Sequence, residues 1–151
     1  MEELQIKTGI QINEPPHEVF EAIVDPSKMT NFFISSSTGR MEEGKDLEWR
    51  FPEFDQPVHV HVVQVTKDEY VSFQWEGAKG EKLLVEITLL PMPENSTLVK
   101  ITEGKMPNNQ KGIKWLGQNT EGWANFLACL KAYVEHEINL RKGAFDFMKQ
   151  K

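Results

Sequence analysis

Alternation of apolar and polar residues dominates the first two thirds of the chain. Leu4, Ile6, Thr8, Ile10 and Ile12 alternate with Gln5, Lys7, Gly9 and Gln11, the pattern of a half-buried strand. Asn13-Glu14-Pro15-Pro16 ends it, and a proline suits the first position of the helix that follows. Val19, Phe20, Ile23 and Val24 share one face of that short helix, His17 to Val24. Asp25-Pro26 stops it, because a residue before proline is pushed out of the helical region. Asp25 is then placed to cap a second short helix, Ser27 to Phe33, with Pro26 at its first position.

A polar stretch from Ser35 to Arg40 predicts a weak strand. After it, Leu47, Trp49 and Phe51 share a face, a loop runs from Pro52 to Pro57, and Val58 to Val65 forms another strand. Turns at Lys67-Asp68-Glu69, at Gly77 to Gly80 and at Pro91 to Asn95 separate three more strands. Their common faces carry Val71, Phe73 and Trp75, then Leu83, Val85, Ile87 and Leu89, then Val99, Ile101 and Glu103. Short turns between alternating strands predict an antiparallel meander with one buried face.

The period then changes. From Trp123 the bulky apolar residues fall at Phe126, Leu127, Leu130, Val134 and Ile138, one stripe of a helix from Thr120 to Leu140. Trp115 and Leu116 fit the same helix and extend it upstream, while Ala128, Ala132, Glu135 and His136 take the opposite side. Gly143, preceded by Arg141 and Lys142, is the expected stop. This helix is the only element long enough to cover the sheet. The fold class is therefore α+β: a curved antiparallel sheet of six or seven strands wrapped around one long C-terminal helix, with two short helices after the first strand.

Composition narrows the function. A chain of 151 residues suits a single domain, 1–151. Its net charge of -6, with both signs interspersed, argues against nucleic acid and against an anionic membrane surface. One cysteine, Cys129, leaves no internal disulfide and no cysteine-based zinc site. The N-terminal residues lack a signal-peptide pattern and no apolar run is long enough to span a bilayer, so a cytoplasmic location is expected. No glycine-rich phosphate loop, serine elbow or catalytic carboxylate pair occurs. No catalytic residue, metal or cofactor is predicted.

The remaining candidates each have two readings. Trp49, Phe51, Phe73 and Trp75 on the sheet and Trp115, Trp123 and Phe126 on the helix either fill a core or wall a pocket. Glu103 continues the inward face of Val99 and Ile101, where it would anchor a ligand hydroxyl or move a proton; at a strand end it would instead reach solvent. His59 and His61 share a strand face suited to two metal ligands, but Val58, Val60 and Val62 claim the inward side and leave a solvated pair. Val62-Val63 breaks the alternation and marks a bulge before Val65. Cys129 reads as a packed thiol. Gly122, inside the helix, costs about 1 kcal/mol against alanine and implies a close backbone approach or room for a ligand.

The order strand, two short helices, meander and long C-terminal helix resembles the START-like superfamily, also called SRPBCC or helix-grip. Within it the chain is similar to the branch named for the activator of the heat-shock protein 90 ATPase homologue. The residues that carry the resemblance are Pro15-Pro16-His17-Glu18-Val19-Phe20, Asp25-Pro26, Phe32-Phe33, Val71-Ser72-Phe73-Gln74-Trp75, and Thr120-Glu121-Gly122-Trp123 followed by Leu127, Leu130 and Lys131. The resemblance implies a cavity between sheet and helix which in relatives holds lipids, sterols, hormones or aromatic polyketides. On this chain it would be lined by Trp49, Phe51, Phe73, Trp75, Ile87, Ile101, Glu103, Trp115, Trp123, Phe126, Leu127 and Leu130. The expected partner is a small apolar or planar aromatic molecule. An enzyme of cyclase or dehydratase type on the same fold is the first alternative, and a chaperone-interaction module the second. The eukaryotic co-chaperone of this branch carries much of its chaperone contact on a separate N-terminal domain, which this chain is too short to contain.

Overall fold

The computed structural model describes residues 2–149; residues 1, 150 and 151, which the single-domain reading includes, lie outside the described residues. Its elements are β1 (Glu3–Ile12), α1 (Pro16–Val24), α2 (Pro26–Met29), β2 (Ser36–Ser37), β3 (Asp46–Arg50), β4 (Val58–Thr66), β5 (Tyr70–Ala78), β6 (Glu81–Met92), β7 (Ser96–Pro107), α3 (Gln110–His136) and a short 3₁₀ turn, Asp146–Met148. The strands form one antiparallel sheet in the order β1-β7-β6-β5-β4-β3-β2. β3 to β7 follow the chain as a meander, and β1 joins at the far edge beside β7. The concave face holds Ile6, Val60, Val62, Phe73, Val85, Ile87, Val99 and Ile101, all buried, against Trp115, Trp123, Phe126, Leu127 and Leu130 of α3.

The helix starts go as expected. The Asp25 side chain accepts from the Ser27 N–H, with Pro26 in the first turn of α2. That helix is only four residues long, and the chain continues as a turn through Phe32 and Phe33 instead of running helical to Phe33.

Two strands run further than their turn signals suggest. β5 continues through Gly77 to Ala78, and the hairpin turn is confined to Lys79-Gly80. β6 continues through Pro91, which pairs with Thr97 of β7. Proline is tolerated there because β5 begins at Tyr70, opposite Thr88, so the other side of Pro91 has no strand to bond. The break at Val62-Val63 is a bulge: pairing with β5 slips between Val62 and Gln64, Val63 turns outward, and Val65 returns toward the sheet's inner side.

The long helix spans Gln110–His136, with the Asn109 side chain capping the Gly112 N–H at its start. It ends earlier than the apolar stripe predicts. Glu137 adopts a left-handed conformation (φ 55), its N–H bonding the Tyr133 carbonyl at 2.8 Å. Ile138 and Leu140 lie beyond the helix and are half exposed, and Gly143 (φ 76) serves a later turn. Glu135, expected on the solvent side, accepts the Asn13 N–H and pairs with Lys131, tying α3 to the end of β1. No helix among the described residues is long and apolar enough to cross a membrane.

Candidate functional site

Glu103 is fully buried on β7, on the inward face that it shares with Val99 and Ile101. Its carboxylate accepts three hydrogen bonds: from Trp75 Nε1 at 2.9 Å, from Trp123 Nε1 at 2.9 Å and from Asn119 Nδ2 at 3.2 Å. Asn119 also donates to the Gly77 carbonyl at 2.8 Å. No cation pairs with Glu103 among the described residues, so these neutral donors supply the solvation lost on burial. Gly77 makes the room: a Cβ there would lie 1.9 Å from Glu103 Oε2. Pairing of β5 with β6 also slips at Gly77, the bulge that a glycine inside a strand signals. Glu103 thus fixes two tryptophans, one on each layer. The indole N–H groups of Trp49 and Trp115, by contrast, are buried without an acceptor among the described residues.

In front of this tryptophan pair lies a cavity of about 300 Å³. Its aromatic walls are Phe32, Phe33, Phe51, Trp75, Trp123 and Phe126. Trp75 and Trp123 sit 5.4 Å apart at 39°, and Phe33 meets Phe51 and Phe126 edge-on at 5.3 and 4.7 Å. Phe54 of the loop between β3 and β4 and Val58 at the start of β4 complete that side, while Phe145 and Met148 come from beyond α3. Polar groups are few: Asn119, Asn125, Glu53 and Arg141. Cys129 also lines the space; burial pushes its thiol above the ordinary 9.0, with the Arg141 charge partly opposing. The thiol is accordingly a neutral part of the wall.

Arg141 and Glu53 form a bidentate ion pair at 2.8 and 2.9 Å. Their side chains are only 15% and 4% exposed, and the guanidinium lies over the rings of Phe51 (5.7 Å) and Phe145 (5.0 Å). A second cavity of about 410 Å³, more polar in lining, borders the first across Phe32, Phe33, Glu53 and Arg141.

Of the residues expected to line a ligand site, Phe51, Trp75, Trp123 and Phe126 do face the cavity. Trp49, Phe73, Ile87, Ile101, Trp115, Leu127 and Leu130 do not: they are buried in the core that fills the middle of the sheet. Trp49 packs edge-on against Phe73 at 5.3 Å, and Phe73 against Trp75 at 5.5 Å, leaving the opening displaced toward one end of the sheet. Glu103 stands one layer behind the wall and touches the cavity only through its partners. Sequence reasoning missed Phe32, Phe33, Glu53, Phe54, Asn119, Asn125 and Arg141. Asn119 had a usable signal, four residues before Trp123 and hence on its face. The loop residues had none, since no period governs them. His59 and His61 point outward, both bonded to Asp46 Oδ1 at 3.0 Å; His59 and Asp46 are exposed and His61 is half-buried. No group of three or more His, Cys, Asp or Glu among the described residues is arranged to hold a metal ion.

A curved sheet closed on a long helix, with a partly apolar opening between them, defines a helix-grip protein of the START-like superfamily. Residues 13–135 match the family model of the Activator of Hsp90 ATPase homolog 1-like protein, and the chain belongs to that family. Among solved structures it is similar to the protein SSP2350 from Staphylococcus saprophyticus: 33% identity over 91% of this chain and 96% of that one, TM-score 0.80. DynU16, from the dynemicin biosynthetic locus, is 21% identical over 89% of this chain, which spans only 48% of DynU16, with TM-score 0.78. The Aha1 dimer from Colwellia psychrerythraea is 19% identical over 88% of this chain and 97% of that one, TM-score 0.74. These last two share the fold. No curated protein matches the chain.

Proposed function

We propose that the protein binds a small, mainly apolar, planar aromatic molecule in the cavity between the sheet and α3. The observation that carries this reading is the wall itself. Phe33, Phe51, Trp75, Trp123 and Phe126 line about 300 Å³ with few polar groups, the composition and size range of small-molecule sites. The indoles are held from behind by Glu103, so a guest meets pre-positioned ring faces and edges. A flat guest gains stacking and apolar burial on such walls, whereas a flexible fatty chain loses more conformational freedom for the same area. The polar groups of Asn119 and Asn125 suit one or two hydroxyl or carbonyl groups on the guest.

The test is a titration of the protein with quercetin, a planar flavonoid, and with oleic acid, followed by tryptophan fluorescence and calorimetry. Quercetin should bind with micromolar or better affinity and quench Trp75 and Trp123, and oleic acid should bind more weakly. Trp75→Leu should reduce quercetin affinity with the fold retained. Tighter binding of oleic acid would reject the planar-guest reading, and no binding by either would return these aromatics to plain packing.

A further inference from the structure

The segment after α3 bears on how a guest gets in. From Glu137 the chain reverses and crosses the cavity mouth, and Arg141, Phe145 and Met148 form part of its wall. Among the described residues, every backbone hydrogen bond donated from 139–149 ends within that same stretch: Lys142 to Asn139, Ala144 to Arg141, Asp146 to Gly143, Met148 to Phe145 and Lys149 to Asp146. The segment therefore rests on the body of the protein through side chains. The strongest of these is Arg141, whose guanidinium grips Glu53 of the β3–β4 loop with two parallel bonds. Little apolar burial supports it elsewhere, since Leu140 is 51% and Phe147 81% exposed. Elements with few buried contacts and no backbone pairing to their surroundings open at low free energy.

We infer that residues 139–149 are a strap closing the ligand cavity, with Glu53–Arg141 as its latch, so that release of this one ion pair sets how fast a guest enters and leaves. This rests on the cavity being the ligand site. The second cavity fits the idea: it lies on the other side of the latch, sharing Phe32, Phe33, Glu53 and Arg141 with the first. Opening the latch joins the two spaces and provides a route outward.

The experiment compares stopped-flow kinetics of quercetin binding in wild type and in Glu53→Gln/Arg141→Met. The double variant removes both charges together and leaves no unpaired buried ion, which protects the fold. Hydrogen exchange of α3 amides confirms that protection. Association and dissociation should both speed up by about tenfold, with the dissociation constant changing less than either rate, as for an element that gates without discriminating. Exchange in 139–149 should rise in the variant while α3 stays protected. Unchanged rates, with binding and α3 protection intact, would overturn the strap and leave the cavity reading standing. Absence of binding by the wild type would overturn both.

Discussion

Gly122 offers a test in which stability and binding move in opposite directions. It lies in the middle of α3 and lines the cavity, and a Cβ built there meets nothing within 4 Å. It has no positive φ and no close neighbour to require it, unlike Gly112, whose Cβ would lie 1.9 Å from the Pro107 carbonyl oxygen. Gly117 is the matched control: also helical, also open, but outside the cavity lining. Replacing either by leucine should stabilise the helix by about 0.8–1 kcal/mol, since leucine lies near alanine in propensity. For a chain of this size that is about 2–4 °C in Tm. At Gly122 the isobutyl group also occupies guest space. If it displaces guest contact comparable to half a buried leucine side chain, about 0.8–1.5 kcal/mol of binding is lost, roughly four- to twelvefold in Kd. Gly117→Leu should gain the same stability with quercetin affinity unchanged. Differential scanning calorimetry and calorimetric titration of the two variants settle the matter. Equal affinities in both, with both stabilised, would refute the idea that Gly122 is kept small for a guest.

Three further outcomes follow from the geometry. Glu103→Gln puts an amide N–H₂ where a carboxylate oxygen now accepts from an indole or from Asn119, so urea melts should show a loss of about 1–3 kcal/mol; a neutral result would mean that the carboxylate is not what holds the tryptophans. Cys129, buried and with its thiol pushed up, should react with iodoacetamide far more slowly than a free thiol and more slowly still with quercetin bound; labelling at the free-thiol rate in both states would contradict its place in the cavity wall. The Arg40 fork holds the Glu21 carboxyl below its usual 4.5, so its stabilisation is present above that pH and is lost as pH falls through the lowered value. Because the pair is partly exposed, Glu21→Gln should cost under about 1 kcal/mol at neutral pH and nothing in acid; an equal deficit at both would exclude charge pairing as the cause.

The fold was legible because it rests on periods. Strand alternation located β1 and β3 to β7, and the Asp25-Pro26 signal located the joint between α1 and α2. What escaped the pattern were endings decided by tertiary context. Pro91 looks like a turn until the shortness of β5 removes the bond it cannot make. Ile138 looks like the last member of the stripe until the chain must reverse for Arg141 to reach Glu53. That ion pair joins residues 88 apart, between two segments without regular structure, and no local rule points to it.

The candidate site was legible only in part, and the reason lies in how buried polar groups are satisfied. Periodicity places Trp75, Trp123 and Glu103 on inward faces, and from there a carboxylate among aromatics reads as a ligand anchor. The structure gives that carboxylate three protein donors. Those donors take most of its acceptor sites, and Glu103 is fully buried behind the wall, so a guest hydroxyl would reach it only by moving an indole or Asn119 aside, with little net gain. In the proposed site Glu103 would therefore act on a guest only through the two indoles it holds. Polar recognition there would pass to groups with capacity left over, and the Asn125 side chain, which makes no hydrogen bond among the described residues, is the clearest of these on the wall. Selectivity in the proposed site would come mainly from ring shape and from the space that Gly122 leaves open, both of which depend on the distance between sheet and helix and not on the residues of either one alone.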